Sequence, residues 1–133
     1  MNEVANRFIE KYVDLLETEE GKVEFFKRAA DSYAVGAYDA AIINNRLETA
    51  GINVTDARMK ALYEYIYKQF MLYSKHTIGN EIPLVDFVNL NVRNRIGYPL
   101  DFVLKFIIEH YKDYAHLVEI YNVDNLLFIR KAT

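Results

Sequence analysis

The residues of this chain best suited to chemistry are Glu109, His110, Asp113 and His116. On a helix turning 100° per residue, Glu109, Asp113 and His116 fall within about 60° of one another. Two carboxylates and an imidazole on one face are a donor set that could hold a divalent cation or shuttle a proton. The same arc is where an amphipathic helix must be polar, opposite Val103, Phe106, Ile107, Tyr114, Leu117, Val118 and Tyr121. A solvated face is therefore the simpler reading, and no metal is assigned to it. His110 falls in the apolar arc. An unsatisfied buried imidazole N–H costs about 1–3 kcal/mol, so a core histidine bonded to a backbone carbonyl or a tyrosine hydroxyl is expected there.

Other chemistries find little support. The three histidines, His76, His110 and His116, show no His-Glu-x-x-His spacing, and the absence of cysteine removes thiolate metal sites, disulfides and cysteine nucleophiles. The five glycines stand alone at 21, 36, 51, 79 and 97, so no phosphate-cradling loop is present, and neither Ser32 nor Ser74 has a nucleophile-elbow context. No catalytic residue, metal or cofactor is assigned. A non-enzyme is expected.

These residues must be carried by a folded chain. With 133 residues, 52% apolar and 26% charged, there is enough apolar surface for one core, and no linker or composition shift divides it. A single domain over 1–133 is expected. Met1–Arg7 lacks a basic segment followed by an apolar one, and nothing approaches the ~18 uninterrupted apolar residues of a membrane span. Together with the lack of cysteine, this leads to the expectation of a soluble, cytoplasmic protein with no membrane partner.

Helical spacing dominates the pattern. Ala5, Phe8, Ile9, Tyr12, Leu15 and Leu16 give a helix over about Glu3 to Glu17 with Asn2 as its cap. A second helix begins near Thr18, and its stripe runs Val23, Phe26, Ala29, Ala30, Tyr33. Gly36 implies a break before a third helix, Ala37 to Ala50, stopped at Gly51, and an alanine-rich contact between helices two and three is expected. Thr55 reads as the cap of a helix from Asp56 to Lys75, with Gly79 beyond its end. Pro83 and Pro99 open two more, to about Arg95 and Tyr121. Asn122 to Asn125 is turn chemistry, and Leu126 to Ile129 could be strand or helix with no visible partner. The expected fold is mainly all-α: a compact bundle of five to six helices with a short irregular or strand-like C-terminal tail.

The segment from Arg46 to Leu62 carries an Ala50-Gly51 pair, a Val54-Thr55 pair and Arg58. At this spacing it resembles the opening helix of the ferric-uptake-regulator family of winged-helix repressors, over seventeen residues. The resemblance implies a helix-turn-helix-like unit around residues 46–75. The family's recognition helix and histidine-rich metal region have no match here, Asn89 to Arg95 being the nearest stretch. Helix capping by Gly51 and Thr55 accounts for most of the shared residues.

The net charge of −3 disfavours a whole-protein attraction to nucleic acid or anionic lipid. Acidity concentrates early, where Glu3, Glu10, Asp14, Glu17, Glu19 and Glu20 face only Arg7 and Lys11 in the first twenty residues. Eleven tyrosines without a tryptophan suit interfaces, since tyrosine presents an apolar body with a hydrogen-bonding tip. The abundance of Ile, Asn and Lys suits an AT-rich genome such as that of a phage or mobile element.

The expectation is a small regulator or inhibitor that binds and occludes a macromolecular partner, a protein that itself binds nucleic acid being the natural target. Glu10, Asp14, Glu17, Glu19 and Glu20 would steer the encounter, and Tyr65 and Tyr67 would anchor it. Self-association through the tyrosine-bearing helix would compete for that surface. The alternative is a DNA-binding regulator using the 46–75 unit, with Arg93 and Arg95 as nucleic-acid contacts.

Overall fold

A computed structural model describes residues 3–32, 35, 37–76 and 81–133. In chain order it contains α1 (Glu3–Lys11), a 3₁₀ helix (Val13–Glu17), α2 (Glu19–Asp31), α3 (Ala37–Thr49), α4 (Thr55–His76), β1 (Ile82–Pro83), α5 (Leu84–Asn91), α6 (Leu100–Glu109), α7 (Tyr111–Tyr114), β2 (Val118–Val123) and β3 (Leu126–Lys131). The mainly helical expectation stands. It is joined by a three-stranded antiparallel sheet ordered β1-β3-β2, and the described residues hold seven α-helices where five or six were expected. The cap at Asn2, the breaks at Gly36 and Gly79, and Tyr33 and Ala34 lie outside the described residues. Among those described, no helix is long and apolar enough to cross a membrane.

The chain divides into two compact units, Met1–Tyr65 with Asn94–Tyr98, and Ile66–Arg93 with Pro99–Thr133. Their boundary falls inside α4, where the helical pattern is continuous and composition gives no signal.

In the first unit, the helix expected over Glu3 to Glu17 stops at Tyr12 (φ −117°, ψ 19°) and continues as 3₁₀. Val13, a β-branched residue of weak helix propensity, opens that tighter segment. α3 packs chiefly against α1 rather than through an alanine seam with α2, and an Arg46 Nη1 to Asn6 Oδ1 hydrogen bond joins the two. Ala29, Ala30 and Ala40 are buried while Ala41 is exposed. At the end of α3 the Ile52 N–H reaches Leu47 O (3.0 Å) and the Gly51 N–H reaches Glu48 O (3.0 Å). This pair of bonds is the Schellman motif, which satisfies carbonyls the helix leaves open. Thr55 is the first residue of α4 rather than its cap, because the first helical bond already runs from the Arg58 N–H to Val54 O at 2.8 Å, while the Asn53 side chain accepts from the Thr55 N–H at 3.1 Å.

The segment Asn94–Tyr98 returns to this unit through two arginines. Arg95 donates from Nε to Ala30 O (2.9 Å), from Nη2 to Ala30 O and Ser32 O (3.3 Å), and lies 3.5 Å from Val35 O through Nη1. Arg58 donates to Ile96 O (3.0 Å) and Gly97 O (2.9 Å) and stacks 4.1 Å from the centre of the Tyr98 ring. Asn94 and Gly97 both take positive φ, 62° and 86°. A Cβ at Gly97 would stand 2.8 Å from Arg58 Nη2, so the turn is open only to glycine there. These turns end α5 at Asn91, four residues short of the expected Arg95.

In the second unit, the helix expected from Pro99 to Tyr121 gives way after Glu109. His110 adopts φ −107°, ψ 16°, α7 is a single turn, and Val118–Val123 is strand. Asp124 and Asn125 have φ 52° and 69°, the two positive values that a two-residue type I′ hairpin requires. Val123 pairs with Leu126 and Val118 with Lys131, so the tail finds its partner in the segment just before it. Ile82 and Pro83 add a short edge opposite Ile129 and Phe128, an edge position that tolerates proline. The buried rings of Phe70, Phe87 and Tyr114 pack together in this unit, with Phe70 5.2 Å from Tyr114 and 5.4 Å from Phe87. Tyr73 donates its hydroxyl to Ile129 O at 3.2 Å.

The far edge of β2 is capped by one side chain. The Tyr111 hydroxyl accepts from the Ile120 N–H at 3.1 Å and donates to Val118 O at 3.4 Å. Both groups belong to residues whose backbone points away from β3, the positions through which an exposed edge recruits another strand.

Candidate functional site

The acidic residues singled out by the sequence are held on a fixed backbone where the 3₁₀ helix meets α2. Thr18 is extended (φ −127°, ψ 159°) and its hydroxyl accepts from the Gly21 N–H at 2.9 Å. Glu19 and Glu20 then occupy the first turn of α2, where negative charge complements the helix dipole. Gly21 lets the two helices close on each other, because a Cβ there would lie 1.9 Å from Leu15 O. Lys22 donates to Glu19 Oε1 (2.9 Å) and to Asn53 O (2.8 Å), tying α2 to the loop that starts α4.

The N-termini of α2 and α4 are thereby brought together. Between them lies a cleft of about 120 Å³ lined by Glu19, Glu20, Val23, Asp56, Ala57 and Lys60. Its floor, Val23 and Ala57, is apolar and buried, whereas Glu19, Glu20, Asp56 and Lys60 at the mouth are exposed. Three carboxylates, one of them already paired with Lys22, against the single lining cation Lys60 leave the rim net acidic over an apolar floor, which suits a side chain with an aliphatic stem and a cationic head. Asp56 escaped the sequence reading. Its signal was its place in the first turn of α4, matching Glu19 and Glu20 in α2.

The other expected contacts are dispersed. Glu10 on α1 and Asp14 and Glu17 on the 3₁₀ helix are exposed but do not line the cleft. Tyr65, expected near the surface, is only 5% exposed, which corrects its assignment as an anchor. Tyr67, in the other unit, is half-buried, with its hydroxyl 3.0 Å from His116 Nε2 and its ring 6.4 Å from that of Tyr114. Aromatic content was legible, but α4 carries apolar residues on more than one side, and helical spacing alone does not rank them by exposure.

Arg95 is likewise corrected as a nucleic-acid contact, since its guanidinium is taken up by the carbonyls at the end of α2. Arg93 is exposed, with Nη1 3.4 Å from Asn89 Oδ1. Burial lowers the Arg58 pKa from the ordinary guanidinium value, against the pull of Tyr98 and Glu48. It raises that of Tyr98, where Arg58 opposes and Glu48 adds.

The cluster on the expected last helix is dissolved by the break at His110. Glu109 reaches Lys105 at 3.9 Å, His116 turns to Tyr67, and Asp113 is exposed. No group of three metal-ligating side chains occurs among the described residues. His110 is half-buried at the end of α6, with Nδ1 2.9 Å from Phe106 O and its ring stacked 4.1 Å from that of Phe106. A backbone carbonyl is indeed its partner, although through a helix end rather than a helix interior.

Fold and site together define a mainly helical protein with a C-terminal antiparallel sheet and an acidic cleft between two helix starts. Compared with known proteins, the chain matches no protein-family model, no curated protein and no solved structure.

Proposed function

We propose that the protein is an interaction module that docks a basic protein surface on its acidic corner and occludes it, as a regulator or inhibitor would. The observation that carries this reading is the cleft of about 120 Å³ at the two helix starts, where Glu19, Glu20 and Asp56 outnumber Lys60 around an apolar floor. One lysine or arginine of the partner would be the anchor. Glu10, Asp14 and Glu17, all exposed, would supply the surrounding field that speeds and orients the encounter. A surface that binds nucleic acid is the natural basic target, because it presents cations spaced to meet phosphates.

The test is affinity capture from the native host with wild-type protein, with the variant Glu20→Lys/Asp56→Lys, and with Lys105→Glu as a remote charge control. The expected result is a partner retained by wild type and the control, lost with the cleft variant, and released as salt is raised. Reversing charge at a close interfacial contact costs several kcal/mol, so the loss should exceed about tenfold. Capture indifferent to Glu20 and Asp56 overturns the proposal.

A further inference from the structure

The same unit carries a second concavity of opposite charge that shares no residue with the acidic cleft. It is a groove of about 430 Å³ lined by α1, the C-terminal half of α2 and Val35. Phe8 and Val35 are buried and give it an apolar floor. Arg7, Lys11 and Arg28 line it against a single carboxylate, Asp31, a local balance of +3 − 1 = +2 in a chain of net charge −3. Glu24 lies outside the groove, 3.7 Å from Arg28.

Tyr12 organises the cations. Lys11 Nζ stands 5.3 Å, and the Arg28 guanidinium carbon 5.2 Å, from the centre of its ring. The ring is fixed from below, since Phe8 packs on it at 4.8 Å and itself meets Phe25 edge-on at 5.0 Å in the core. Lys11 makes no ion pair among the described residues; its one close polar partner is the face of Tyr12. Glu24 offsets Arg28 from outside the groove, and an anion within it would relieve the repulsion that remains between the two cations gathered on one ring. The volume falls in the range of small-ligand sites, about 300–1,000 Å³.

We infer that this groove binds a small amphipathic anion, with a carboxylate or phosphate head held by Lys11 and Arg28 and an apolar body lying on Phe8 and Val35. The head group supplies the counter-charge that Lys11 lacks and shares Arg28 with Glu24, and the body displaces water from the floor. This site is independent of the acidic cleft, so either can fail without the other.

Calorimetric titration with octyl phosphate, octanoate, inorganic phosphate and octanol tests it. The two amphipathic anions should bind at least about tenfold more tightly than phosphate or octanol, and the tighter of them names the head group. Lys11→Gln/Arg28→Gln removes both cations and should weaken that binding by more than about tenfold, since one charge-assisted hydrogen bond alone is worth about that factor. Both side chains are exposed, so circular dichroism should show the variant folded, and Lys105→Gln, which lines neither concavity, should bind as wild type. Octanol binding as tightly as octyl phosphate, a double variant binding as wild type, or no binding by either amphipathic anion overturns the proposal.

Discussion

Replacing Arg95 with alanine should unfasten the end of α2. The last carbonyls of any helix lack intrahelical partners, and here Ala30 O and Ser32 O are served by a guanidinium 65 and 63 residues further along the chain. Ala30 itself is fully buried, so water cannot freely replace the lost donor. A hydrogen bond from a charged donor contributes about 2 kcal/mol. The longer Ser32 contact adds about 0.5 kcal/mol, and a cation at the negative end of the helix dipole about the same. The contact with Val35 O at 3.5 Å is too long to count. Arg95→Ala should therefore cost about 3 kcal/mol, which for a chain of this size lowers Tm by about 10 °C.

Urea unfolding followed by circular dichroism gives the free energy, provided the slope with denaturant is unchanged. Arg95→Met keeps the aliphatic stem and removes the donors, so it should lose nearly as much as alanine. Arg95→Lys keeps the charge with one point donor and should recover about half. Arg93→Ala, exposed and outside the network, should stay within about 0.5 kcal/mol of wild type. A loss below about 1 kcal/mol for Arg95→Met, or equal effects at 93 and 95, would refute this account of the arginine.

Gly21→Ala places a methyl group on Leu15 O and should cost at least about 3 kcal/mol by forcing α2 from the 3₁₀ helix; a thermal melt within a few degrees of wild type would contradict the close approach. Tyr111→Phe removes the one group that serves both Ile120 N–H and Val118 O, so it should lose about 1–2 kcal/mol and expose a strand edge. Light scattering should then show self-association that rises with concentration, and a monodisperse variant of unchanged stability would speak against an edge cap. Burial raises the pKa of both Tyr73 and Tyr98, with Glu81 adding at the first, and Arg58 opposing and Glu48 adding at the second. A pKa raised by folding gives stability that is whole below about pH 10, the ordinary phenol value, and is lost as pH climbs through the raised values. Tyrosinate absorbance should show a late-titrating fraction that shrinks in Tyr98→Phe; all tyrosines ionising together before unfolding would exclude it.

What the sequence made legible were features decided within a few residues. Gly51 stops α3, its N–H bonding Glu48 O while that of Ile52 bonds Leu47 O, and Thr18 caps Gly21, three residues on. Asp124 and Asn125 were readable as a turn for the same reason, since both residue types tolerate positive φ. The strand before them was not, because Val118, Tyr121 and Tyr114 also fit a helical stripe, and a short apolar run satisfies both periods. Only pairing with Leu126–Lys131 decides between them, and that is information from outside the segment. The arginines were less legible still. Nothing local distinguishes Arg95, fastened to α2, from Arg93 two residues earlier, because the difference lies in carbonyls more than sixty residues away.

The candidate site shows the same division and adds a constraint on how it must be tested. Glu19 and Glu20 were visible as acidity, whereas Asp56 joins them through the fold, at the place where Lys22 reaches across 31 residues to Asn53. All three carboxylates sit in the first turns of helices, so each has a structural duty to the dipole of α2 or α4 as well as any duty to a partner. Reversing Glu20 or Asp56 should cost about 0.5–1 kcal/mol of stability from that source alone. A partner lost through partial unfolding would also be lost by neutral variants that damage the same turns. Glu20→Gln/Asp56→Asn keeps the size and most of the hydrogen bonding while removing the charge. A variant of that kind that stays folded yet releases the partner assigns the loss to electrostatics at the cleft, and one that stays folded and holds its partner assigns the carboxylates to the helices.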